Sequence, residues 1–334
     1  MKLFFRFSLV YLILVVSLAA MLQGDALELV ITAFIATSAY ILKVTKSAIV
    51  VVPLFLLVAF ALRQRHVAGG PGVIAYALAA TAVTQAAFSI VKLGIPTMVP
   101  FYADAWLAEA DRWLAGGRDP WEIAHQMAGF LPVQAMLPTY STVWTVPAFG
   151  LPVILAATDR DAGRTARFIL LYVFCWIVVG NVLAIAGSSA GPVFYDALLG
   201  GDRFAGLHSA LVQSGMSENG FGMMQRQLWG VYADGSMALG FGISAFPSVH
   251  VAIATLTALY LAERSRWLVV PGFAFLAIVQ FLSVYSGYHY ALDGYISIVL
   301  IVSVWLVLRR IELGALNLPW SRSRIAPAPA IAGR

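Results

Sequence analysis

Apolar residues run along this chain in long blocks, with polar residues gathered between them instead of alternating with them. Blocks over 3–22, 27–42, 48–62, 73–92, 133–157, 168–186, 248–262, 267–285 and 290–308 each predict a helix. Most approach or exceed the ~18–20 residues needed to cross a hydrocarbon core of roughly 30 Å. A helix satisfies all its own backbone hydrogen bonds, as a spanning segment must. The fold class predicted is all-α, a polytopic transmembrane helical bundle. Three stretches are too polar, or too rich in Gly and Pro, to span: 94–132, 188–246 and a tail from Arg309 whose last residues look disordered. The organisation expected is therefore amino-terminal transmembrane helices over 1–93, an outer interfacial segment over 94–132, a catalytic membrane domain over 133–310 that includes the outer loop 188–246, and a cytoplasmic tail over 311–334.

Composition agrees with the pattern. Of 334 residues 61% are hydrophobic and 11% charged, against roughly 45–50% and 25% in soluble domains. A net charge of +5 could suggest nucleic acid in a soluble protein, but here the basic residues sit in short loops beside apolar blocks, which is a topology signal. Arg160, Arg164 and Arg167, then Arg264 and Arg266, then Arg309, Arg310, Arg322 and Arg324 fall on one face, cytoplasmic by the positive-inside rule. Arg63, Arg65 and His66 fit the same face, whereas Lys43 and Lys46 fall outside unless an early segment lies flat on the membrane. The first block starts like a signal peptide, with Lys2 and Arg6, but is long and lacks a clear cleavage site, so a retained anchor is expected. Cys175 stands alone within an apolar block and reads as packing.

Two segments carry chemistry. In Phe246-Pro247-Ser248-Val249-His250 the long outer loop meets a span: Pro247 suits a helix start, Ser248 is a preferred N-cap, and His250 lies in the first turn. Free N–H groups and the positive end of the helix dipole make such a start a phosphate site, with the Ser248 hydroxyl as a further donor. In Tyr285-Ser286-Gly287-Tyr288-His289-Tyr290-Ala291-Leu292-Asp293 a glycine breaks one span and the next begins. His289 and Asp293, four apart, share one helix face, so Asp293 can orient one ring nitrogen and free the other as a nucleophile. Connectivity returns both histidines to the outer side. Two imidazoles and a carboxylate at membrane depth are expensive and point to function, whereas His66, His125 and His208 read as structural.

These residues resemble the type 2 phosphatidic acid phosphatase superfamily, and within it the inositol phosphorylceramide synthase-like branch. Ala245-Phe246-Pro247-Ser248-Val249-His250 and His289-Tyr290-Ala291-Leu292-Asp293 are similar to that branch's signatures, as are Asp111-Arg112-Trp113-Leu114 and Gly116-Gly117-Arg118-Asp119-Pro120-Trp121. The resemblance implies that His289 attacks phosphorus to give a phosphohistidine, Asp293 orients it, His250 protonates the departing alkoxide and later activates the acceptor, and Ser248 binds phosphate oxygens. The phosphatase branch also expects a Lys, an Arg-Pro pair and an Arg six residues before the nucleophile. Here those last positions hold Gly191-Pro192 and Ser283, with no Lys at the right distance. Candidate cations for the phosphate are Arg226, Lys92, Arg112 and Arg118.

The function expected is movement of a phospho-headgroup between lipids. The substrates would be a phospholipid donor and a lipid hydroxyl acceptor, with no cofactor, no metal and no nucleic-acid partner. The alternatives are a hydrolase that uses water, a transporter, for which no inverted repeat is evident, and zinc hydrolysis through His250, His289 and Asp293. The site is expected to face the periplasm from a bacterial inner membrane. Trp106, Trp113 and Trp121 suggest an amphipathic interfacial helix, read as an anchor or as a cover for the lipid entrance.

Overall fold

The computed structural model describes residues 1–23, 68–235 and 242–316, with scattered positions between 27 and 38. Most of the expected span 27–42, all of 48–62, Lys43, Lys46, Arg63, Arg65, His66 and the tail beyond 316 lie outside the described residues. Among the described residues every regular element is helical. The order is α1 Lys2–Gln23, α2 Pro71–Met98, α3 Asp104–Leu114, α4 Pro120–Ala128, α5 Val133–Pro138, a π-turn Thr139–Val143, then α6 Thr145–Thr158. There follow α7 Ala162–Val173, extended by the π-helix Phe174–Leu183, α8 Pro192–Leu199, α9 Ala205–Gln213, α10 Gly220–Ala233, α11 Val249–Arg264, α12 Val269–Tyr285 and α13 Ala291–Leu316. Five helices among the described residues are long and apolar enough to cross a membrane, six if α5 and α6, bent by 46°, count as one. The protein is a multi-pass helical membrane bundle.

The expected span at 248–262 is the short one. α11 has 16 residues, roughly 24 Å of helix, and is packed against α12, α13, α6 and α7. Val251, Ala252, Ile253, Ala254, Leu256 and Ala258 are wholly buried, so α11 is surrounded by protein, not lipid. Its first turn carries His250, half-buried in the bundle. α1 lies along α2 and is tied in by polar groups, as lipid-embedded helices often are. Ser8 Oγ meets Thr84 Oγ1 at 2.9 Å, and Asn181 bonds Tyr11.

The end of the bundle opposite the two histidines is held by ions. Arg164 donates to both oxygens of Asp159 at 2.7 Å, and Arg264 approaches the same carboxylate at 4.0 Å. Arg167 bridges Glu263 at 2.6 Å and Glu312, and Trp305 donates to Glu263 at 2.6 Å. Helices α6, α7, α11 and α13 are thereby pinned together. Burial alone would raise the Asp159 carboxyl, but the Arg164 fork and the Arg264 charge hold it below the ordinary carboxylate value. Its contribution is therefore complete at neutral pH and is lost only as pH falls below about 4. Arg164→Met strands a buried carboxylate and is expected to cost about 3 kcal/mol, read as a lower unfolding temperature in detergent. An unchanged temperature would show that the pair does not hold these helices.

Candidate active site

The site forms where three helices start side by side. At α11 the Ser248 Oγ accepts from Val251 N at 3.4 Å, as an N-cap does, and the Ser248 N–H donates to the Asp293 carbonyl at 3.2 Å. That bond joins the two sequence segments. At α13 Asp293 sits three residues past the cap, and its Oδ2 accepts the Tyr290 N–H at 3.0 Å, the reaching-back half of a capping box. The same oxygen receives the His289 ring at Nδ1, 3.3 Å away. A carboxylate accepts only, so Nδ1 carries the proton and Nε2 keeps its lone pair. The His289 backbone is fixed as well, donating to the Ser283 carbonyl at 3.2 Å. His289 is 7% exposed and Asp293 fully buried. The His250 and His289 rings lie 6.2 Å apart between centroids, tilted by 58°.

His250 is gripped on both faces. Tyr140 stacks on it at 4.5 Å and 5°, Trp144 at 4.0 Å and 25°. The Trp144 indole also donates to the His250 carbonyl at 2.9 Å. The π-turn makes this grip: Trp144 N bonds the Thr139 carbonyl five residues back, and the widened turn lines Tyr140 up with Trp144 on one side. Only the edges of the His250 ring stay available. Neither aromatic residue stood out in the sequence, although Pro138 and Pro147 flanking them signal an irregular helix.

Helix α3 supplies a second surprise. Its exposed side shows Trp106 and Trp113, as an interfacial helix should, while its buried side carries Asp104, Leu107, Ala108 and Asp111. Asp104 accepts from Ala190 N and Gly191 N at 2.9 Å and from the Tyr290 hydroxyl at 3.0 Å. Asp111 accepts from Ala291 N at 2.9 Å and Leu292 N at 2.8 Å. Besides turning Trp106 and Trp113 outward, α3 is bolted to the starts of α8 and α13. Burial raises both carboxyls against these hydrogen bonds, Asp111 to about 6. The seven-residue spacing of the two aspartates on an otherwise apolar face was the available signal.

Among the candidate cations, Lys92 is the one whose charge acts on His250. It shows no ion pair among the described residues and lies 6.0 Å from the Phe88 ring. Gly242, on the approach to Ser248, lies against its backbone, where a Cβ would come within 2.7 Å of the Lys92 carbonyl. Arg112, Arg118 and Arg226 are exposed and engaged elsewhere, with the Gly117 carbonyl, Glu122 and the Ser217 carbonyl. Beside Arg226, Gln225 reaches the Ser286 carbonyl at 2.8 Å, and Tyr288 bonds Phe221 at 3.0 Å, so α10 packs on the His289 loop. Position 191 cannot take an arginine easily: Gly191 has φ 93° and a Cβ there would run into the Tyr288 carbonyl. His125 contacts the Tyr285 carbonyl at 3.0 Å, stacks on its ring at 4.1 Å and, being buried, is pushed below the usual imidazole range.

The PAP2 superfamily model matches residues 105–308 of this chain. The chain belongs to that superfamily. The match begins inside α3 and ends near the close of α13, so it takes in both histidines, Asp293 and Asp111. With membership comes lipid phosphatase or phosphotransfer chemistry in a membrane, and so an enzyme acting on lipid substrates. No curated protein and no solved structure matches the chain.

Among the described residues the buried Tyr140 hydroxyl meets no hydrogen-bond partner, a state that costs about 1–3 kcal/mol. Tyr140→Phe keeps the ring stack and is expected to leave unfolding temperature unchanged or raised. A fall would show that the hydroxyl is satisfied in solution.

Proposed function

We propose that this enzyme moves a phospho-headgroup from a phospholipid to the hydroxyl of a second lipid through a phosphohistidine at His289, in the manner of the inositol phosphorylceramide synthase-like branch. The observation that carries this reading is the His289–Asp293 pair, with Nδ1 committed to the carboxylate and the His250 ring 6.2 Å away, a gap that suits a phosphorus atom between them. His289 Nε2 attacks the phosphodiester, and the P–O bond to the diacylglycerol oxygen breaks. His250, protonated, gives that oxygen its proton. The neutral His250 then takes the proton of the acceptor hydroxyl, whose oxygen attacks phosphorus as the P–N bond breaks. Asp293 stabilises the imidazolium that forms. Ser248 Oγ and the N–H groups of Val249 and His250, which helix geometry leaves without intrahelical acceptors, bind the phosphoryl oxygens, and Lys92 offsets their charge.

The scarcity of cations near the two histidines among the described residues supports a phosphodiester substrate, which carries one negative charge, over a dianionic phosphomonoester. Sidedness is argued from charge: Arg160, Arg164, Arg167, Arg264, Arg266, Arg309 and Arg310 belong to the end opposite the histidines, which supports an outward, periplasmic active site in a bacterial inner membrane.

The test is incubation of detergent-purified protein with headgroup-labelled phospholipid, with and without ceramide or diacylglycerol. A new labelled lipid that requires acceptor, and is absent in His289→Ala, is the expected result. Acceptor-independent release of a water-soluble headgroup, equally lost in His289→Ala, would make the enzyme a hydrolase, and any product surviving that substitution would remove His289 from the chemistry. His250→Ala is expected to lower kcat by about 10²–10⁴-fold and Lys92→Met by about 10²-fold. Arg226→Ala, Arg112→Ala and Arg118→Ala are expected to change kcat by less than Lys92→Met. A larger loss in any of the three would shift the phosphate-binding assignment to that arginine.

A further inference from the structure

Five donors close on two buried carboxylates of α3, three of them within three residues of His289 and Asp293 and two beside a residue that binds the segment leading to Ser248. Ala190 and Gly191 follow Ser189, whose carbonyl and hydroxyl accept from Ala245 N at 2.9 Å and Phe246 N at 3.1 Å, just ahead of Ser248. Tyr290, Ala291 and Leu292 lie between His289 and Asp293. We propose that α3 is a positioning bracket for the nucleophile, in which Asp104 and Asp111 set the Ser189–Gly191 and Tyr290–Leu292 backbones so that His289 meets Asp293 on one side and His250 on the other.

The bracket rests on the phosphoryl-transfer reading of His289 and adds a second effect to it. The open starts of α8 and α13 would each attract an anion. Both are filled by protein carboxylates, so the start of α11, capped by the neutral Ser248, is left for phosphate. A substrate is thereby sorted to one of three adjacent helix starts. The same two negative charges act on Asp293 and favour the imidazolium that His289 becomes on attack.

Full-length protein in nanodiscs carrying Asp111→Asn, Asp104→Asn or Tyr290→Phe separates this role from simple packing. Asparagine turns one acceptor oxygen into a donor facing a backbone N–H, and Tyr290→Phe deletes a single hydroxyl with little change of shape. Amide hydrogen exchange at Ala291 and Leu292 is expected to speed up in Asp111→Asn, with α1 and α2 unchanged. The kcat is expected to fall about 100-fold in Asp111→Asn, since small misplacements of a nucleophile cost that much, and about 10-fold in Tyr290→Phe, with KM within about twofold. The wild-type kcat is expected to fall as pH drops through about 6, where Asp111 takes up a proton, and this limb is expected to vanish in Asp111→Asn. The groups facing Asp111 are Asp293 and Tyr295 of α13 and Asp119 ahead of α4, while Arg112 beside it is turned to the Gly117 carbonyl. Unchanged kcat in all three variants would overturn the bracket, as would exchange that rises throughout the bundle. Should the wild-type protein transfer no headgroup at all, the phosphoryl-transfer reading fails on its own, and local exchange at Ala291 and Leu292 still decides whether α3 holds that backbone.

Discussion

The starts of three helices meet at one end of this bundle, and each start presents N–H groups with no partner inside its own helix. Away from bulk water such groups must find acceptors or cost several kcal/mol each. The acceptors here are Asp104 for the backbone entering α8, Ser248 for α11, and Asp293 with Asp111 for α13. The architecture follows from that requirement. Because Asp293 spends one oxygen on the cap of its own helix and on the ring of His289, the side chain that starts the helix is also the one that orients His289. Because Ser248 donates its N–H to the Asp293 carbonyl, the two histidine-bearing segments are tied together.

Rigidity of the second histidine has a different source. Among the described residues His250 meets no carboxylate. It is held between Tyr140 and Trp144, delivered by a π-turn in a helix interrupted by prolines. The aromatic walls cover both faces of the ring and leave its edge accessible, which suits the proton transfers proposed for it. Among the described residues few cations lie near the histidines, and Arg164, Arg167 and Arg264 are spent at the opposite end, where Asp159, Glu263 and Glu312 bind them.

Much of this could be read from residue order. Blocks of apolar residues set the membrane class, because length and hydropathy alone decide whether a helix can cross lipid. The spacing of His289 and Asp293 pointed to their contact, although the structure makes it with His289 two residues ahead of α13 and not on its face, and the Pro-Ser-x-His segment set a helix start, because N-cap chemistry is local. The helix at 104–114 was also legible as amphipathic with tryptophans outward, but its inward aspartates were not, since their acceptors are spent on residues about 86 and 180 positions away.

Residue order therefore carried what is local: which segments are apolar and helical, and where helices start. Tertiary structure alone decided the rest. It brought the charge of Lys92 within electrostatic range of His250 and turned Arg112, Arg118 and Arg226 to other partners. It laid Tyr140 and Trp144 on an imidazole more than a hundred residues away, and filled two of three helix starts with carboxylates from a distant helix. The physical reason is that these contacts are made across the bundle, where partners are chosen by how helices pack and by which buried polar groups remain unsatisfied, and neither is encoded in any short window of the chain.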